Sequence, residues 1–251
     1  MDRRGLRGGW ARFQKHAYAE PSPDLAPFVD RYWFVHWYLR DQPPYRQLVV
    51  PYPNVHLTWV NDEPARVHGV SRGHVFRVLE GDGHVSGVAF KPGAFRPFLG
   101  RAVSTITGRS VDARTVFGDV PKSVDHEGLE TFLRAHLAPP DPTAGEVADM
   151  VARIAADPKL TRVDELATLL GVGIRRLQRL FAEYVGVGPK WVIRRYRLHE
   201  VTERLAKGVP VDWARLAAEL GYADQAHFSR DFTAMFSEPP SCYAERYGPL
   251  S

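Results

Sequence analysis

A chain of 251 residues, 44% hydrophobic and 25% charged, has the composition of a soluble protein with apolar material for two small cores. No apolar run approaches the roughly 18 residues of a membrane span, and the basic start Met1-Asp2-Arg3-Arg4 has no apolar stretch behind it, so neither a membrane segment nor a secretory leader is expected. One cysteine, Cys242, excludes an internal disulfide framework and a cysteine-cluster zinc site, and the net charge of +4 permits a polyanionic partner without demanding one.

Residues 1–20 are basic and glycine-rich and read as a flexible leader. Residues 21–138 change character. Short apolar and aromatic runs such as Tyr32-Trp33-Phe34-Val35, Gln47-Leu48-Val49-Val50, Val55-His56-Leu57-Thr58-Trp59-Val60 and Val85-Ser86-Gly87-Val88-Ala89-Phe90 are broken by Pro43-Pro44, Asn61-Asp62, Gly81-Asp82-Gly83 and Pro92-Gly93. This pattern predicts an antiparallel β-rich domain for sensing or dimerisation, with Gly81-Asp82-Gly83 as a hairpin turn. A helical turn is expected at Arg96–Gly100. A helix is expected over Glu127–Leu137, with Leu129, Phe132, Leu133 and Leu137 at helical spacing.

Pro139-Pro140-Asp141-Pro142-Thr143 reads as a stiff linker, since three prolines in four residues cannot continue a helix. It predicts a helical half, 144–251, that folds and binds its partner alone. A helix begins near Thr143 and runs through Val147, Met150, Val151 and Ile154. A longer one spans Trp191–Ala206, packs through Trp191, Ile193, Leu198, Val201 and Leu205, and ends at Gly208 and Pro210. Cys242, beside the last helix, is expected to be a small packing residue in a reducing cytoplasm. The fold class expected is α+β, an antiparallel β-rich domain followed by an all-α domain.

The helical half repeats itself. Leu166-Ala167-Thr168-Leu169-Leu170, then Gly171-Val172-Gly173-Ile174-Arg175-Arg176-Leu177-Gln178-Arg179-Leu180-Phe181, returns as Leu216-Ala217-Ala218-Glu219-Leu220, then Gly221-Tyr222-Ala223-Asp224-Gln225-Ala226-His227-Phe228-Ser229-Arg230-Asp231-Phe232. Leu166 to Leu216 is a step of 50 and Arg179 to Arg230 a step of 51, so the second turn carries one extra residue. A helix, a glycine turn and a second helix with outward Arg and Gln side chains is a helix-turn-helix. From 174 to 197 the bases Arg175, Arg176, Arg179, Lys190, Arg194, Arg195 and Arg197 face only Glu183, one sign on the segment that would enter a DNA groove. The outward set of the first unit is Ile174, Arg175, Gln178 and Arg179. That of the second is Gln225, Ala226, Ser229 and Arg230, with His227 on its flank. Arg suits guanine and Gln suits adenine by paired hydrogen bonds. The competing structural role for Arg179 and Arg230 is an ion pair with Glu183 or Asp231.

On these residues the chain resembles the AraC/XylS family of bacterial transcription regulators over about 145–246. The signatures are Leu177-Gln178-Arg179-Leu180-Phe181, Gly186-Val187-Gly188-Pro189, Tyr196-Arg197-Leu198 and the long string Leu216–Phe232. The first half, with Pro51-Tyr52-Pro53-Asn54 and Gly87-Val88-Ala89-Phe90-Lys91-Pro92-Gly93-Ala94, resembles the small β-rich domain fused to such units in many actinobacterial regulators. The resemblance implies double-stranded DNA as partner, with contacts from Arg175, Arg176, Gln178, Arg179, Lys190, Gln225, Ala226, His227, Ser229 and Arg230. It further implies a small-molecule effector, a homodimer and, for an activator, RNA polymerase. The joining helix would set the recognition helices roughly 34 Å apart, one duplex turn. Two positions depart from the pattern. Gly173 stands where Ser is usual, and Ser237 where Gly is usual, at a cost of about 1 kcal/mol if that position needs a positive φ.

The ten histidines include no close zinc-type pair, so no metal is expected. Trp33, Trp37, Tyr52 and Trp59, with Tyr38, either line an effector pocket or fill the core of the sheet. No G-x-S-x-G, P-loop or dinucleotide glycine pattern occurs, so neither catalytic residues nor a cofactor are expected. A fused zinc-cysteine repair domain would need several cysteines.

Overall fold

In the computed structural model, residues 13–137, 139, 141–206 and 211–247 are described. Most of the expected leader, Pro140 of the linker, and the helix stop at Gly208 and Pro210 lie outside them. Among the described residues eight strands precede the helical half: β1 (Gln14–Ala19), β2 (Val29–Leu39), β3 (Tyr45–Val49), β4 (His56–Val60), β5 (Arg66–His68), β6 (Val75–Leu79), β7 (Gly81–Phe90) and β8 (Ser110–Asp112). Six form an antiparallel sheet in the order β1-β2-β7-β4-β5-β8, and β3 pairs with β6 as a separate ribbon. β1 begins inside the stretch expected to be flexible, in full register with β2 from Gln14↔Trp37 to Ala19↔Tyr32.

Gly81-Asp82-Gly83 is not the expected hairpin turn. It opens β7 and pairs with Leu39, Tyr38 and Trp37 of β2. The reason lies in the neighbouring strand. A Cβ on Gly83 would stand 2.2 Å from the Trp37 ring, and one on Gly87 2.2 Å from the Trp33 ring. The two glycines are the floor on which the indoles lie, so backbone approach, not turn geometry, selects them.

Short helices α1 (Arg96–Leu99) and α2 (Arg114–Phe117) and a longer α3 (His126–Ala135) close one face of the sheet. That face buries Tyr32, Leu57, Trp59, Val67, Val88 and Phe90 against Phe117, Leu129, Phe132 and Leu133. α3 buries Leu129, Phe132 and Leu133 as the spacing predicts and is capped by the Asp125 carboxylate accepting from the Gly128 N–H, but it ends at Ala135, so Leu137 lies beyond it and is exposed.

The helical half comprises α4 (Pro142–Ala156), α5 (Val163–Leu170), α6 (Ile174–Leu180), α7 (Pro189–Ala206), α8 (Trp213–Glu219), α9 (Gln225–Phe236) and α10 (Pro240–Tyr247). α4 starts inside the proline linker. Asp141 caps it by accepting from Thr143 and Ala144, and Pro142 takes the first helical position, where a missing N–H costs nothing. α7 crosses two cores. Val192 and Ile193 join α4, α5 and α6, whereas Leu198, Val201 and Leu205 join α8, α9 and α10.

The two halves share buried surface. Val70, from the loop after β5, belongs to the same cluster as Val147 and Leu177, and Val50 to that of Phe232 and Phe236. Arg96 pairs with Glu183 at 3.1 Å, Thr107 donates its hydroxyl to the Gly186 carbonyl, and Trp191 donates to the Arg72 carbonyl. The His74 N–H donates to the Ala234 carbonyl in α9. Proline content marked the covalent junction but not this packing.

Candidate nucleic-acid interface

Each helix-turn-helix is built by the same local rules. Gly171 (φ 64) closes α5, and Gly221 (φ 74) follows α8, both in the left-handed region that glycine enters without strain. Val172 then returns its N–H to the Ala167 carbonyl, and Tyr222 to that of Ala217. α6 starts after extended Gly173 without a side-chain cap. α9 starts one residue later in its repeat, after Asp224, whose carboxylate accepts from the His227 N–H at 2.6 Å. The 51-residue step is that one extra turn residue.

The inward sides match the sequence reading. Leu177 and Phe181 anchor the first recognition helix, α6, which continues into a wider turn over Phe181–Val185. Phe228 and Phe232 anchor the second, α9. On the outer side Arg175, Arg176, Gln178 and Arg179 of α6 are exposed, as are Lys190 at the start of α7 and Gln225, Ala226 and Arg230 of α9. Ser229 and His227 are half-buried. The competing ion-pair role for the two arginines does not hold. Glu183 reaches back to Arg96 and Asp231 pairs with Arg194, and among the described residues neither Arg179 nor Arg230 forms an ion pair.

Three of the seven bases from 174 to 197 do not face a groove. Arg195 is 0% and Arg197 1% exposed. Arg197 donates to the carbonyls of Asp157 and Ile154 and pairs with Glu200, tying α7 to the end of α4. Arg194 holds Asp231 and donates to His227 Nε2 at 3.0 Å, over the Tyr222 ring. His227 is thereby part of a latch between α7 and α9. α7 is packed on several sides, so its bases flank the apolar stripe instead of opposing it. The charge run hid this, and the three-residue step from Val192 to Arg195 and on to Leu198 was the available signal.

The four aromatics considered for an effector pocket do not meet around one. Trp59 is core, edge-on to Phe132 and donating to the Pro121 carbonyl. Trp37 is buried over Gly83 and donates to the Glu80 carbonyl. Trp33 lies over Gly87 beside His56, and Tyr52 sits under Arg195 of α7. An open groove of about 510 Å³ lies elsewhere, between α3 and the preceding loop, lined by Pro121, Val124, Asp125, Gly128, Phe132 and Ala135. Among the described residues no group of three or more His, Cys, Asp or Glu side chains could hold a metal, and no helix is long and apolar enough to cross a membrane. Cys242 is exposed on α10, not packed as expected, because Tyr243 is the residue that α10 turns inward.

Comparison with known proteins matches two separate stretches of the chain. Residues 166–246 match a helix-turn-helix domain family, and residues 18–112 match a domain of unknown function, DUF6597. Over 83 residues, a third of this chain, the sequence is 36% identical to the HTH-type transcriptional regulator GlxA of Rhizobium meliloti (strain 1021). The chain spans about a quarter of the length of that relative. Among solved structures, ToxT from Vibrio cholerae aligns over 94% of this chain and 100% of its own at 10% identity and a TM-score of 0.41. A transcriptional regulator with an AraC-type DNA-binding domain from Chromobacterium violaceum aligns over 44% of this chain and 98% of its own, at 21% identity and a TM-score of 0.38.

Proposed function

We propose that this AraC-type helix-turn-helix protein is a sequence-specific DNA-binding transcription regulator, reading two adjacent major-groove segments of double-stranded DNA with α6 and α9. One observation carries the reading. The polar residues of both recognition helices stand clear of the N-terminal half, which packs instead against α4, α7, the turn over residues 181–186 that follows α6 and the far end of α9. A helix enters the major groove with its first turns, and those turns present Arg175, Gln178 and Arg179 in one unit and Gln225, Ala226, Ser229 and Arg230 in the other. Arg176 and Lys190 fit phosphate contacts, and His227 supports the flank of α9. α7 would hold the two helices roughly 34 Å apart.

The N-terminal half modulates this activity through its contacts with both units. Its further partners in this reading are a small-molecule effector, a second copy of the chain and, for an activator, RNA polymerase, all in the cytoplasm.

The test compares the native operator with a scrambled duplex. Arg179→Ala should weaken operator binding by about 1–3 kcal/mol and relax preference at one base position. Lys190→Ala should weaken both duplexes alike. Equal losses on the two DNAs for Arg179→Ala would remove its base-reading role.

A further inference from the structure

The two recognition helices differ in what they can offer a polyanion. α6 carries Arg175, Arg176 and Arg179, all exposed and, among the described residues, none in an ion pair. Lys190 stands exposed just beyond. The acid that follows, Glu183, is drawn away by Arg96 of the N-terminal half. The positions of α9 that match Arg175 and Arg176 hold Ala226 and His227.

Arg230 is the one Arg or Lys in α9, and Asp231 follows it. His227 is tied to Arg194, as is Asp231. The Asp224 carboxylate stands at the head of α9, where a phosphate would approach, and satisfies the His227 N–H that a phosphate oxygen would otherwise take. Charge and capping therefore point the same way in each unit.

We infer that the two units divide the interface unequally: the first adds to the base contacts of Gln178 and Arg179 the sequence-independent hold on the phosphate backbone, and the second reads base edges through a nearly neutral surface. This rests on the DNA-binding reading above and adds which half of the site carries the salt dependence. The operator half under α9 is held by fit alone, so base changes there cost more of the affinity than the unit's charge would suggest. The latch from Arg194 to His227 and Asp231 fixes α9 against α7, which is the rigidity that reading without electrostatic hold needs.

Each phosphate neutralised contributes about 0.9 to the fall of log affinity with log salt. The test measures that slope for the full chain on a duplex of random sequence, so no operator is required. Wild type is compared with Arg176→Gln/Lys190→Gln and with Arg230→Gln. Gln is a good helix former and these positions are exposed, so an unchanged melting temperature accompanies each variant. The double variant should lower the slope by about 0.9 for each charge removed, and Arg230→Gln should leave it unchanged. On the operator the order reverses for discrimination, with Arg230→Gln losing more preference over scrambled DNA than the double variant. Slopes lowered equally per charge removed in both units, or unchanged in the double variant, would overturn the division. A wild type with no salt-dependent affinity for DNA would overturn the DNA-binding reading itself.

Discussion

Arg195 lies face-on to Tyr52, its guanidinium carbon 3.9 Å from the ring centroid. One residue belongs to α7, which joins the two helix-turn-helix units, and the other to the loop between β3 and β4. The same guanidinium donates from Nε to the Pro51 carbonyl and has Phe236 of α9 5.8 Å away. The phenols of Tyr52, Tyr196 and Tyr243 are the titratable groups that act on it most, and among the described residues no carboxylate forms an ion pair with it. Burial lowers its pKa from the ordinary arginine value. A buried cation held by rings and a carbonyl is stabilised by π-contact and penalised by lost hydration.

The penalty and the contact can be separated by substitution. Arg195→Met keeps a similar volume and removes the buried charge, so the melting temperature of the full chain should hold or rise by a few degrees. Tyr52→Ala leaves the charge in place without its ring, and should lower stability by about 2–4 kcal/mol. Denaturant melts of the two variants decide the matter. A loss for Arg195→Met as large as that for Tyr52→Ala would mean that the contacts outweigh the desolvation.

The seam also revises what a fragment should do. The proline run predicts an autonomous helical half, yet Val70 and Val50 are buried among the helical cores, and Gly93 approaches so closely that a Cβ would stand 2.9 Å from the Ala148 nitrogen. A fragment of residues 143–251 should therefore melt below the full chain and bind a hydrophobic dye, because the sites of Val70, Val50 and Tyr52 are opened to water. Scanning calorimetry and dye fluorescence check this. A fragment as stable as the intact chain would show that the seam contributes nothing.

What was legible in the sequence was local. Val147, Met150, Val151 and Ile154 recur at the period of the helix they form, and the glycines at 171 and 221 punctuate the two turns, so both helix-turn-helix units and their outward residues could be read from spacing alone. Pairing across distance was not. That β6 leaves its neighbour β7 to pair with β3, and that Gly83 and Gly87 serve two tryptophans of β2, depends on partners 26 to 34 residues away in the first case and 46 to 54 in the second. The inward arginines were missed for a related reason. Arg195 and Arg197 are buried by carbonyls and rings of other segments, and the local signal, the step from Val192 to Arg195 and Leu198, is masked by the surrounding run of bases.

Two histidines in the sheet make the fold sensitive to acid. His56 lies edge-on to Trp33, and burial, with Arg31 and His68 nearby, pushes its pKa down to about 3. His68, bonded to the Thr58 hydroxyl at 2.8 Å, is pushed down to about 4 by burial and by Arg77 and Arg66. In the unfolded chain both titrate near 6.5. Below that pH the unfolded state binds more protons than the folded one, so stability falls as pH drops from 6.5 and levels off only below the folded-state values. The melting temperature should decline between pH 6.5 and 4.5, and the double variant His56→Leu/His68→Gln should flatten that decline. A wild-type melting temperature constant over this range would exclude the two imidazoles as its source.

The caps that end the two recognition segments give the last prediction. Ser237 closes α9 at φ 70, its N–H returning to the Thr233 carbonyl at 2.8 Å, whereas the matching position after α6 is Gly186 at φ 92. A Cβ in the left-handed region costs about 1–2 kcal/mol, and glycine gives back about 0.4–1 kcal/mol through the greater freedom of its unfolded chain. Ser237→Gly should therefore stabilise the protein by about 0.5–1 kcal/mol, and denaturant melts at constant slope will show it. Gly186→Ser should do the opposite and by more. There the backbone strain is joined by a collision, since a Cβ would stand 2.9 Å from the Thr107 hydroxyl and 3.0 Å from Val103 Cγ1, both on the N-terminal half. The damage at Gly186 should thus include loosening of the seam, visible as faster hydrogen exchange at the Gly186 N–H and its neighbours. A Ser237→Gly variant less stable than wild type would mean that the serine hydroxyl contributes more than its backbone strain costs.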